Sequence, residues 1–142
     1  MNNEKLLTEA LKTYAEAEIK GDKHNPKVVE WTKRVLSWAT NDEIAWCSTW
    51  LNAMAENAGL ERSGKANARS WLKVGREIAE PKVGDIVIYW RRSPKDWRGH
   101  VGIFIREKGD YIYTLGGNQS NRVNIAPYHK SRLLGYRRLG LE

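Results

Sequence analysis

One cysteine, one phenylalanine, two methionines and four prolines are all that 142 residues carry of these types. A single cysteine excludes an internal disulfide and a zinc site built on several thiolates. The thiol of Cys47 is therefore either a small buried hydrophobe or a reactive group. No run approaches the roughly 20 apolar residues that a membrane-spanning helix needs, and no charged segment leads into an apolar leader at the N-terminus. The expectation is a product made in the cytoplasm, with no signal peptide and no stable membrane insertion. Low-complexity tracts and internal repeats are also missing, so the chain reads as one folded domain, 1–142, and as a monomer.

What the chain has in excess is tryptophan and positive charge. Seven tryptophans stand against one phenylalanine, and the formal net charge is +7. Such a field favours anionic partners: nucleic acid, an anionic membrane surface or the bacterial envelope. Tryptophan combines a broad apolar face with one N–H donor, which suits both core packing and clefts that grip sugars or peptides.

The order of patterns is helices first and strands afterwards, which argues for α+β. Leu7, Leu11, Tyr14 and Ala17, with Leu6 and Ala10, fall at helical spacing up to Gly21. Asn25-Pro26 reads as an N-cap followed by proline at the first helical position, opening a helix faced by Val28, Trp31, Val35 and Trp38. Asn41-Asp42-Glu43 then precedes a third helix, where Trp46, Trp50, Met54 and Ala58 recur every fourth residue and Gly59 is the stop. Residues 66–74 suggest a short helix burying Trp71 and Leu72. From Val83 the period becomes that of strands: 86–90, 101–106, 111–115, 123–126 and 133–138. Glu107-Lys108-Gly109-Asp110 is a hairpin turn that makes the second and third of these antiparallel neighbours.

Three positions could carry chemistry. Cys47 falls in the first turn of the third helix, where free N–H groups and the helix dipole favour a thiolate and could hold an oxyanion; packing beside Trp50 and Leu51 is the alternative role. His100 heads a strand and shares a face with Gly102 and Phe104. It suits a base held rigidly against a helix N-terminus, or else a hydrogen-bonded histidine at a sheet end. A cysteine–histidine pair generally needs a third group to orient the imidazole. Asn118, in Gly116-Gly117-Asn118-Gln119, is the candidate and Gln119 the reserve, unless the segment is only a turn. His24 and His129 read as solvated loop residues. Arg91, Arg92, Lys95 and Arg98 surround Trp90 and Trp97 just before His100. That interleaving is a weak nucleic-acid signature, or the rim of a cleft for an anionic glycan or acidic peptide.

Four segments in order, 42–48 around Trp46-Cys47-Ser48, Pro81 to Val87, Gly99-His100-Val101-Gly102 and Leu115 to Ser120, together resemble a phage-associated family related to CHAP domains. These are the cysteine, histidine-dependent amidohydrolases/peptidases of the NlpC/P60, papain-like group. The resemblance runs from about His24 to Arg138. It implies a papain-like α+β fold, with a helical part (1–40) before a CHAP-like core (41–142) of helix packed on antiparallel sheet, and no separate wall-binding domain. It also implies Cys47 as nucleophile, His100 as general base and acid, and Asn118 as the polar assistant. Many CHAP domains carry a glutamate shortly before that asparagine; here Gly116 stands near its place. Some bind calcium near the cysteine, but Asn41-Asp42-Glu43 is a thin version of such a loop, and neither metal nor cofactor is expected.

The activity so implied is hydrolysis of an amide bond in bacterial peptidoglycan, by an endolysin-like enzyme acting after holin-type release or injection. The anionic envelope is then the partner that the positive charge serves, and nucleic acid is not. Trp46, Trp50, Trp90 and Trp97, with Gln119, are the expected substrate contacts. Two other classes stand beside this: a papain-like amidohydrolase or acyltransferase on a non-wall substrate, and a non-catalytic basic binding module.

Overall fold

Asn25 starts a helix as its type and position demand: its side-chain oxygen accepts from the Lys27 amide at 2.9 Å, and Pro26 occupies the first turn. This helix, α2 (Pro26–Lys33), follows α1 (Asn2–Leu11) and precedes α3 (Cys47–Asn57). The computed structural model describes residues 1–19, 24–39 and 45–141. Gly21 and the Asn41-Asp42-Glu43 cluster lie outside them. After α3 come a 3-10 segment (Ala68–Lys73) and strands β1 (Arg76–Ile78), β2 (Ile86–Trp90), β3 (Gly99–Lys108), β4 (Tyr111–Gln119), β5 (Arg122–His129) and β6 (Leu133–Arg138). The six form one sheet in the order β1-β6-β2-β3-β4-β5, and every neighbouring pair is antiparallel. Helices gathered on an antiparallel sheet make the α+β, papain-like arrangement.

The helix α3 is the centre of the packing. Its residues from Cys47 to Ala55 are all buried, so it is covered on every side rather than along one stripe. It lies on the face of the sheet that carries Ile86, Ile88, Val101, Ile103, Leu115 and Val123. The opposite face holds a second cluster of Val87, Tyr89, Phe104, Ile112 and Tyr136. Strand alternation thus divides β3 as its sequence suggests, Val101 and Ile103 toward α3 and Phe104 away. The close approach of β4 to α3 depends on Gly117: a Cβ there would lie 2.8 Å from the Trp50 Cβ and 3.0 Å from the Trp46 ring.

Several expected boundaries move. The first helix stops at Leu11, and Leu11 and Tyr14 are exposed instead of completing an apolar face. Ala15 takes a positive φ of 73°, and the chain turns back to lie along β5. The Ala15 amide donates to the Val123 carbonyl (2.8 Å), and the Val123 amide to the Glu16 carbonyl (2.8 Å). The unpaired edge of β5 thus takes up residues that helical spacing alone would assign to α1. Trp38 lies beyond the end of α2 and is exposed. Strands β3, β4 and β5 run longer than their β-branched cores suggest. Gly109, at φ 60°, closes the hairpin at the Lys108–Tyr111 pair.

Candidate active site

Cys47 is the first residue of α3, and Trp46 before it contributes no side-chain cap. The leading amides of the helix are therefore not taken by a cap from that side chain. Backbone N–H groups of Cys47 and Ser48 turn toward the thiol, and so does the amide of Val101 on β3. The sulfur thus sits between a helix N-terminus and the residue that follows His100. Burial pushes the Cys47 thiol up; the Val101, Ser48 and Cys47 amides and the Arg91 charge oppose that without overcoming it. At this depth desolvation outweighs the pull of the helix N-terminus toward a thiolate and favours the protonated thiol.

His100 is fully buried near the start of β3, opposite Tyr89 of β2. Its Nε2 lies 2.9 Å from Gln119 Oε1. The amide group of Gln119 is fixed in orientation by what its nitrogen meets. Gln119 Nε2 donates to the carbonyls of Thr114 (3.2 Å) and Asn124 (2.7 Å) and to Asn124 Oδ1 (2.9 Å). The oxygen must then face the imidazole, so His100 Nε2 carries the hydrogen and Nδ1 carries the lone pair. Nδ1 is buried and has no partner among the described residues. Burial lowers the imidazole pKa to about 4; the Gln119 bond resists, and Arg91 and Arg132 lower it further. At neutral pH the site holds a neutral thiol and a neutral imidazole with its basic nitrogen open.

The partner of the imidazole is Gln119 and not Asn118. Asn118 takes a positive φ of 58° where β4 and β5 slip register between Gly116 and Gln119, and its side chain makes no hydrogen bond to His100. The irregularity brings the next side chain in instead. Gly116 makes that possible: a Cβ there would lie 2.6 Å from Gln119 Oε1 and 3.2 Å from His100 Nε2. The glycine that stands near the family's glutamate therefore leaves the room that Gln119 fills. With its amide consumed by protein groups, Gln119 is not placed as a substrate contact.

Two of the four tryptophans are corrected in the same way. Trp46 and Trp50 are fully buried, and their ring nitrogens donate to Glu18 (3.0 Å) and to Thr13 (3.0 Å). They are core residues, because α3 is enclosed and has no cleft-facing side at these positions. Trp90 is half-buried and donates to the Ser131 carbonyl at 3.0 Å. Trp97 is exposed beneath the Arg98 guanidinium, 5.1 Å from the ring centroid. His129 ends β5 and accepts from the Ser131 amide, so it belongs to a turn and not to the site.

Tyr128 was not singled out by the sequence. It stacks on His100 with ring centroids 5.0 Å apart and on Tyr89 at 4.6 Å, and its hydroxyl donates to Gln119 Oε1 at 3.1 Å. Pro127 before it obscures the strand, although a proline fits this position at the edge of the sheet. Alternation continued past Pro127 was the available signal. Arg132 lies over the Tyr128 ring at 5.8 Å and over Trp90 at 5.9 Å. Among the described residues no group of three or more histidine, cysteine, aspartate or glutamate side chains is placed to hold a metal ion.

The model of the CHAP domain matches residues 38–118, more than half of the chain. This protein belongs to the CHAP family. The matched span contains Cys47 and His100 and ends one residue before Gln119. Among solved structures, the chain is similar to a protein from Staphylococcus aureus described as similar to a lipoprotein of the NLP/P60 family. The TM-score is 0.55 at 18% identity, over 96% of this chain and 41% of that one, so the CHAP chain spans less than half of that neighbour. The likeness is one of fold. No curated protein matches the sequence. CHAP and NlpC/P60 members are cysteine peptidases or amidases, which points to hydrolysis connected with peptidoglycan.

Proposed function

We propose that this CHAP domain hydrolyses an amide bond of bacterial peptidoglycan by acyl transfer through Cys47. The observation that carries the reading is the buried, unpartnered His100 Nδ1, one residue before Val101, whose amide faces the Cys47 thiol at a helix N-terminus. A buried polar atom is normally satisfied, and an open imidazole nitrogen on the strand that faces the nucleophile is a candidate base. Nδ1 takes the Cys47 proton as sulfur attacks the carbonyl carbon. The oxyanion forms at the amides that lead α3. The carbon–nitrogen bond then breaks, and the imidazolium returns its proton to the leaving amine. Water, deprotonated by the same nitrogen, cleaves the thioester to a carboxylic acid and restores the thiol.

Gln119 holds the imidazole in the tautomer this sequence needs, as the orienting member of the site. The resting pair is uncharged, so proton transfer accompanies attack instead of preceding it. The net charge of +7 favours adsorption to an anionic envelope. In the lysis reading the enzyme reaches the wall by holin-type release or by injection.

Isolated peptidoglycan incubated with wild type and with Cys47→Ala, followed by mass spectrometry of soluble products, tests the proposal. Fragments from wild type alone are expected, and their new termini name the bond. Equal fragments from both proteins remove Cys47 from the mechanism. A thiol that reacts with electrophiles but releases nothing from walls points to a different amide substrate.

A further inference from the structure

Among the described residues, the charges that act on Cys47 and His100 are positive. Arg91 bears on Cys47, and Arg91 and Arg132 both bear on His100 and on Tyr128; among the described residues no carboxylate acts on Cys47 or His100. The geometry behind Arg132 is explicit. Its Nε donates to the Trp90 carbonyl at 3.2 Å, and its guanidinium spans the Trp90 and Tyr128 rings, the second of which stacks on His100. That leaves its terminal nitrogens without an acceptor among the described side chains. Arg91 follows Trp90 at the end of β2, is exposed, and has no side-chain partner among the described residues.

Four of the other arginines are neutralised by carboxylates. Arg34 pairs with Glu30 and Glu56, Arg62 with Glu56, and Arg138 with Asp85. Arg98, one of the basic residues of the loop before His100, pairs with Asp96 at 3.2 Å. Arg91 and Arg132 form no such ion pair among the described residues, and they are the arginines whose charges act on His100. Unpaired cations beside a buried imidazole oppose its protonation and work against catalysis, unless an anion arrives with the substrate. Guanidinium groups recognise carboxylates through paired N–H donors, and a guanidinium seated on aromatic rings is already oriented to do so.

We propose that Arg91 and Arg132 form a carboxylate-binding subsite at the edge of the Cys47–His100 site, selecting wall peptides with a free carboxylate next to the scissile amide over their carboxamide counterparts. The inference rests on the hydrolase reading and names the substrate class of that site. A bound carboxylate offsets the two positive charges, and the imidazolium formed during attack is then less disfavoured. The subsite therefore contributes to turnover as well as to binding.

The test uses two soluble wall peptides, identical except that the carboxylate flanking the cleaved bond is free in one and a carboxamide in the other. For each protein the ratio of kcat/KM values is read on one preparation, so the folded fraction cancels. Wild type is expected to prefer the free acid by about tenfold or more, and the preference shrinks with added salt. Arg91→Gln combined with Arg132→Gln brings the ratio close to one, and Arg132→Lys alone keeps part of it. Equal cleavage of both peptides by wild type, or an unchanged ratio in the double variant, overturns the subsite alone. No cleavage of either peptide or of intact walls overturns the hydrolase reading, and the subsite with it.

Discussion

Asp85 and His100 are both fully buried titratable residues on the same sheet region, and they are treated in opposite ways. Asp85 accepts from Asn3 Nδ2 (2.9 Å), the Lys82 amide (2.7 Å), and Arg138 Nε and Nη2 (2.8 Å each). Burial works against its charge, but Arg138, Lys82 and Asn3 outweigh that and hold the carboxyl below its ordinary range. His100 has one nitrogen fixed by Gln119 and the other open. A saturated buried charge anchors structure; α1, the turn before β2 and β6 all meet at Asp85. A buried group left half-satisfied carries an energetic cost that chemistry can use.

Exchanging the two roles breaks the comparison if it is wrong. His100→Ala should lower kcat/KM by about a thousandfold, the scale of lost general acid–base catalysis, while the thermal midpoint changes little or rises. Asp85→Ala should do the reverse. It strands Arg138 and two donors and costs about 3 to 5 kcal/mol in denaturant unfolding, but the folded fraction keeps its specific activity. Loss of activity in folded Asp85→Ala would merge the two sites into one.

Next in size is the effect of pH on stability. The folded chain refuses a proton on His100 until about pH 4, whereas the unfolded chain accepts one near the ordinary value of 6.5. Stability is therefore full above about pH 6.5 and falls as pH drops toward 4, by up to about 3 kcal/mol from this group. Urea unfolding of wild type and His100→Gln across that range measures it, and the variant should lack this contribution. Asp85 shifts the same way but at lower pH, so the two slopes separate.

Gln119→Ala sharpens the contrast within the site. It frees the imidazole to rotate and to change tautomer, and kcat should fall by about ten- to a hundredfold with KM nearly unchanged. The smallest effect belongs to Tyr128→Phe. The ring still covers His100 but one hydrogen bond to Gln119 is gone, so kcat should fall only a few-fold, the equivalent of about 1 kcal/mol. A loss as large as that of Gln119→Ala would give the Tyr128 hydroxyl a more direct part.

The sequence made the α+β order, the N-cap at Asn25 and the hairpin at Gly109 readable, because each depends on local spacing. It misplaced what depends on long-range packing. Tryptophans every fourth residue mark the side of α3 that packs, and only the sheet and the 11–19 segment reveal that all its sides do. The dipole at Cys47 favours a thiolate locally, while the depth of burial that overrides it is a tertiary property. Asn118 and Gln119 are adjacent, and a backbone irregularity with φ 58° decides which of them reaches His100. Tyr128 and Arg132 come from strand β5 and the turn after it, and their convergence on the imidazole follows from sheet order alone.

The central claim is that His100 stands neutral, with hydrogen on Nε2 and an open lone pair on Nδ1. Nitrogen-15 NMR of selectively labelled histidine, followed through pH, tests it directly in the free enzyme. The predicted result is one ring in the Nε2–H form at pH 7 that begins to protonate only near pH 4. A proton on Nδ1, or a titration centred near 6.5, would contradict the account.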